Sequence, residues 1–196
     1  MVEPSPRTPR IALVVGGCFK AVALHPAIVD AHRVVYIDAY SETDDVPSTP
    51  EVIPIDLARD ETVRSLCARF DGAGDLHPLR RQYPAHLDRI IRVMGCKSVD
   101  LAKGLGQVPA VAYLAWRARL EQGLAATFRA MIDDLTVRAG GQLARIEIDV
   151  FHSNAGATGR GIANAVVEKI CELFQGRTVS VTHYVVGRMS FTGLGS

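Results

Sequence analysis

The chain is poor in aromatic residues, with six Phe, five Tyr and one Trp among 196 residues. These rings do not interleave with basic runs, which excludes the stacking surface of a single-strand nucleic-acid binder. An excess of one charge is missing too. The 22 Lys and Arg against 21 Asp and Glu leave a formal net charge of +1. Neither nucleic acid nor an acidic membrane surface is therefore an expected partner. No apolar run is long enough to span a bilayer. Cysteine is scarce: Cys18, Cys67, Cys96 and Cys171 are scattered and form no C-x-x-C. That spacing points to reduced thiols in a cytoplasmic protein rather than to a disulfide framework or a zinc site.

Several motifs are also absent. No Gly-x-x-x-x-Gly-Lys-[Ser/Thr] occurs, no Gly-x-Gly-x-x-Gly follows the first apolar run, and there is no Gly-x-Ser-x-Gly. A P-loop, a standard dinucleotide fingerprint and a nucleophile elbow are thus not supported. His25, His32, His77 and His86 show no metal-ligand spacing, and His152 and His183 fall in strand-like runs where a structural role is expected. No metal-binding residues are assigned. Residues 1–10 are Pro-rich and lack the apolar core of a signal peptide. They read as a flexible tail before one domain over 11–196, of a size that supports a proper core.

What is present is an alternation of strand-like and helix-like runs. The apolar run 11–15 stops at Gly16-Gly17, as a buried parallel strand would. Residues 19–29 follow as a helix with Val22, Ala23 and Ile28 inward, although Pro26 argues against continuity unless it lies in a first turn. Residues 34–40 form a second strand, 41–50 an acidic, Pro-containing loop, and 51–56 a short strand. A helix is expected over 60–70, a loop over 71–84, a strand over 89–94 and a glycine cluster within 98–108. Pro109 suits the first position of a long helix to about Leu135, and Gly140-Gly141 ends it. The strand 144–151 alternates Ile146, Ile148 and Val150 with Glu147 and Asp149, which reads as half exposed or near an edge. A helix over 162–174 and a strand over 178–186 complete the series. Such βαβ units imply an α/β fold of three layers, Rossmann-like, around a mainly parallel sheet.

The most informative stretch is His152 to Gly161, small, polar and glycine-rich, between a strand and a helix. Strand, glycine-rich turn and helix together present free backbone N–H groups to an anion. Thr158 supplies a hydroxyl and Arg160 a charge. In an open parallel sheet, the loop after the first strand lies on the same side.

Within this stretch, Ala155-Gly156-Ala157-Thr158-Gly159-Arg160-Gly161 resembles the tubulin and FtsZ signature Gly-Gly-Gly-Thr-Gly-[Ser/Thr]-Gly. Gly156, Thr158, Gly159 and Gly161 match; Ala155, Ala157 and Arg160 depart. Gly16-Gly17-Cys18-Phe19-Lys20-Ala21-Val22 resembles that family's first loop, with Lys20 where the family often has Asn. Ser41-Glu42-Thr43-Asp44 resembles its Asn-Thr-Asp. Gly104-Leu105-Gly106-Gln107-Val108-Pro109 resembles its terminal-phosphate loop, with a Gly-Gln pair similar to that of divergent bacterial tubulin-like proteins. Thr192 stands at the position of the ribose-contacting Glu.

The resemblance covers the amino-terminal nucleotide-binding half of the family fold, without its central helix and second domain. It implies GTP or GDP with Mg²⁺. The contacts it implies come from Gly16, Gly17, Cys18, Lys20, Asp44, Gly104, Gly106, Gln107, Asn154, Gly156, Ala157, Thr158, Gly159 and Arg160. It also implies self-association or a tubulin-like partner subunit, and a filament of cytoskeletal type. The carboxylate that activates water lies in a segment the chain does not include, so binding with little hydrolysis is expected and no catalytic residue is assigned. Two rival readings remain: an interaction module that keeps the fold without nucleotide, motivated by Lys20, Ala157, Arg160 and Thr192, and a Rossmann-type enzyme with a degraded fingerprint.

Overall fold

The computed structural model of the chain describes residues 8–38, 51–57, 109–141, 143–154 and 156–187. The strands are β1 (Arg10–Val15), β2 (Arg33–Asp38), β3 (Val52–Asp56), β4 (Arg145–Ser153) and β5 (Thr178–Val186). They form one sheet in the order β3-β2-β1-β4-β5. Every pairing is parallel. The helices are α1 (Phe19–Val22), α2 (Pro26–Val29), α3 (Pro109–Arg119), α4 (Ala125–Arg138) and α5 (Ala157–Leu173).

Alternation along each strand builds three layers. Ile11, Leu13, Val15, Val35, Ile37, Ile148 and Val150 pack on one face with Trp116 of α3, Phe128 and Leu135 of α4, and Ile162 and Val166 of α5. Ala12, Val14, Val34, Tyr36 and Phe151 pack on the other with Phe19 and Val22 of α1 and Ala27 and Ile28 of α2. The α/β class and the parallel sheet expected from the alternating runs are both present.

Three expectations are corrected. The helix expected over 19–29 is two single turns. His25 adopts an extended conformation (φ −66°, ψ 135°) and caps α2, its Nδ1 accepting from Ala27 N at 3.2 Å. The residue before a proline is forced out of the helical region, so Pro26 starts a new helix instead of continuing the old one. The single long helix from Pro109 is likewise divided. A π-helical turn, Leu120–Leu124, lies between α3 and α4, and Gly123 takes a φ of +99° within it. Gly140 and Gly141, both at positive φ, end α4 as expected. Gly141 N donates to Thr136 O and Gly140 N to Val137 O, the paired bonds of a Schellman cap.

The third correction concerns β4. It is not at an edge but between β1 and β5. Its polar residues alternate because they pair, not because they face water. Arg10 of β1 reaches Glu147 Oε2 at 2.9 Å and Asp149 Oδ2 at 3.3 Å. Burial holds the Asp149 carboxyl above its ordinary pKa, against the opposing pull of Arg10. The elements expected over 41–50, 60–70, 71–84, 89–94 and 98–108 lie outside the described residues. Among the described residues, no helix is long and apolar enough to cross a membrane.

Candidate functional site

The strand order reverses between β1 and β4, with β2 and β3 to one side and β5 to the other. That reversal opens a crevice beyond the carboxyl ends of the two strands, where ligands of open α/β sheets bind. The turn after β1 and the turn after β4 flank it.

Gly16 takes a φ of +87°, and its N–H donates to Ile37 O of β2 at 2.8 Å. A Cβ there would lie 3.3 Å from Gly159 N and 3.5 Å from Thr158 Cβ. The left-handed conformation favours glycine here, and the close approach of α5 leaves a Cβ only tight room. A Cβ on Gly17 would lie 3.5 Å from Asp38 Oδ2, the last residue of β2. The ends of β1 and β2 and the start of α5 thus converge.

The helix starts earlier than the periodicity predicts, at Ala157 instead of Ile162, so Thr158, Gly159, Arg160 and Gly161 lie in its first turns. Two of these glycines are packing residues. A Cβ on Gly159 would stand 2.5 Å from the Ser153 carbonyl oxygen and 3.0 Å from Ser153 N. A Cβ on Gly161 would overlap the Pro109 carbonyl oxygen and lie 2.9 Å from Ala112 Cβ. Gly159 seats α5 against the end of β4, and Gly161 lets α5 cross the start of α3. Their effect on the site is to fix where the helix begins.

The N-terminus of α5 is left open by its own side chains. Its N-cap, Gly156 (φ −89°, ψ 155°), offers no side-chain cap, and no acidic residue occupies the first turn. A Cβ on Gly156 would meet nothing within 4 Å. The helix dipole and first-turn N–H groups therefore favour an anion there. Asn154 is exposed in the preceding turn. Arg160 is exposed, and its Nε donates to Gly156 O at 3.3 Å. Thr158 is buried, and its hydroxyl donates to Asp38 Oδ1 at 2.8 Å.

Of the residues expected to bind cofactor, the structure brings Gly16, Gly17, Gly156, Ala157, Thr158 and Gly159 to one end of the sheet, with Asn154 and Arg160 at its margin. Cys18 is adjacent, but its thiol turns into the core. Its Sγ lies 3.9 Å from Val15 O and 3.8 Å from Phe151 O, and burial pushes its pKa up to about 12. Lys20 is exposed on α1. Asp44, Gly104, Gly106 and Gln107 lie outside the described residues.

Asp38 is the residue that motif reasoning missed. The signal was an acidic residue directly after the apolar core of the second strand, about 20 residues beyond the first glycine turn, where dinucleotide-binding sheets carry their ribose-contacting acid. No family model matches the chain, and searches of the curated proteins and of the solved structures likewise find no match.

Proposed function

We propose that the chain binds a nucleotide through its phosphates at the crevice between β1 and β4. The observation that carries this reading is the junction of the Gly16 turn with the uncapped start of α5, held by the Gly16–Gly159 approach. Phosphate oxygens would be met by backbone N–H groups of the two turns and by the Thr158 hydroxyl once it leaves Asp38. The tubulin-like order of the loops makes GTP or GDP the expected nucleotide.

Mg²⁺ fits as a passenger of the phosphates. Among the described residues, no group of three or more His, Cys, Asp or Glu could hold a metal ion. A magnesium ion bound mostly by phosphate and water needs only one or two carboxylates, and Asp38 supplies one beside Thr158. When bound, the ion neutralises phosphate charge. Self-association, or pairing with a related subunit, is the assembly that the tubulin-like resemblance implies.

Acid extraction of the purified chain, followed by ion-exchange chromatography, tests the reading, together with calorimetric titration of GTP, GDP, ATP and NAD. A stoichiometric guanine nucleotide, or selective GTP and GDP binding, supports it. A dinucleotide would move the assignment to the Rossmann-type reading, with Asp38 on the ribose hydroxyls. Absence of all four would favour a second reading, an interaction module. One observation favours that reading: Gly159 and Gly161 are both required by packing, so these two signature positions do not by themselves demand a nucleotide.

A further inference from the structure

His152 lies near the carboxyl end of β4, and His183 lies in the neighbouring β5. In their parallel register His152 stands opposite Val185, and His183 opposite Val150. Side chains alternate along a strand, so both imidazoles are on one face of the sheet. It is the face where Ile148 and Val150 pack against α5. The two ring centroids are 5.7 Å apart, with an interplanar angle of 82°.

His152 Nδ1 is buried and has no hydrogen-bond partner. Such an atom costs stability unless something satisfies it. The nearby ring of His183 meets it as a T-shaped neighbour and leaves that nitrogen unpaired. Neutral imidazole is the form that binds a metal.

The spacing is that of two imidazoles around one ion. A metal–nitrogen bond of about 2.0–2.1 Å, with the ring centroid roughly 1.2 Å behind the nitrogen, places each centroid about 3.2 Å from the ion. Two such rings at a tetrahedral or somewhat wider angle are then about 5–6 Å apart, and the observed 5.7 Å falls within that range. His183 is exposed, so its ring can turn about its Cβ–Cγ bond, which presents either edge while leaving the centroid nearly in place.

We propose that His152 and His183 together hold one divalent ion of tetrahedral preference, of the zinc class, each through one imidazole nitrogen. Two protein ligands leave the remaining positions to water or to an anionic group. The site lies immediately upstream of the Asn154 turn and does not depend on the nucleotide reading.

The test uses the whole chain, stripped of metal with EDTA and titrated calorimetrically with Co²⁺, a paramagnetic ion that accepts the tetrahedral geometry the spacing requires. Wild type is expected to bind one equivalent. The His183→Ala variant, altered at an exposed position, and the His152→Gln variant are each expected to bind at least tenfold more weakly, with unchanged far-ultraviolet circular dichroism. Selective broadening of both imidazole proton resonances by the paramagnetic ion would locate it. Failure of wild type to bind Co²⁺, or undiminished affinity in His183→Ala, would overturn the proposal.

Discussion

Replacing Gly161 by Ala sets two opposite expectations against each other. In a helix interior alanine is favoured over glycine by about 1 kcal/mol, so local preference makes the change stabilising. The packing opposes this. The new Cβ would overlap the Pro109 carbonyl oxygen and lie 2.9 Å from Ala112 Cβ, where ordinary contact begins at 3.4 Å. Neither obstacle can rotate away, because one is backbone and the other is the first side-chain atom of a buried helical residue. The methyl group fits only if α5 and α3 separate, which loosens the layer that holds Ala112, Trp116, Ile162 and Val166. Overpacking of this kind costs about 1–3 kcal/mol, and a backbone obstacle puts it at the upper end. Allowing for the gain in helix preference, Gly161→Ala should destabilise by about 2 kcal/mol. For a chain of this length that lowers Tm by about 4–8 °C. Thermal unfolding followed by circular dichroism measures it. Gly187→Ala is the control, since a Cβ there meets nothing within 4 Å, and its effect should stay within about 0.5 kcal/mol. If Gly161→Ala melted at or above the wild-type temperature, helix preference would have won, and the close α3–α5 crossing would be refuted.

Gly16→Ala should destabilise by about 1–2 kcal/mol through its positive φ, and should weaken nucleotide binding at least tenfold by pushing the β1 turn off Gly159; thermal melts and calorimetry read the two effects separately. The Cys18 thiol, buried and with its pKa pushed up to about 12, should resist a disulfide reagent at pH 8 until the chain unfolds; rapid native labelling of the Cys18 peptide, read by mass spectrometry, would contradict its placement. The His152 pKa is lowered in the folded chain from its ordinary 6.5, so the stability it contributes is present above that pH and is lost as pH falls through the folded value. Melting temperatures taken from roughly pH 7 to pH 5 should therefore fall less steeply in His152→Gln than in wild type.

The strands were the legible part of the fold. β5 has the predicted limits at both ends, because a run of β-branched residues bounded by turns carries its own preference. β1 and β3 differ from expectation by one residue at one end, and β2 begins one residue before its expected start, its expected end lying outside the described residues. The environment of β4 was not legible, since the partner that accounts for Glu147 and Asp149 is Arg10, well over a hundred residues earlier. The start of α5 was obscured for a related reason. Glycine in a local window signals a turn, whereas Gly159 and Gly161 are helical because Ser153 and Pro109 leave no room for a side chain. At the candidate site, the glycine turns and the position of Asp38 at the end of β2 could be placed from sequence, but the pairing of Asp38 with Thr158 could not. Its bond to Thr158 spans 120 positions and exists only once β2 and α5 meet.

The division of labour among the glycines bears on how the history of this chain would be written. A descendant that had given up nucleotides would still be held to Gly159 and Gly161, because losing either would unseat a helix. Gly156, with open space where a side chain would stand, would be free to drift. The informative position for telling a ligand-binding lineage from a retired one is therefore the glycine under no steric constraint.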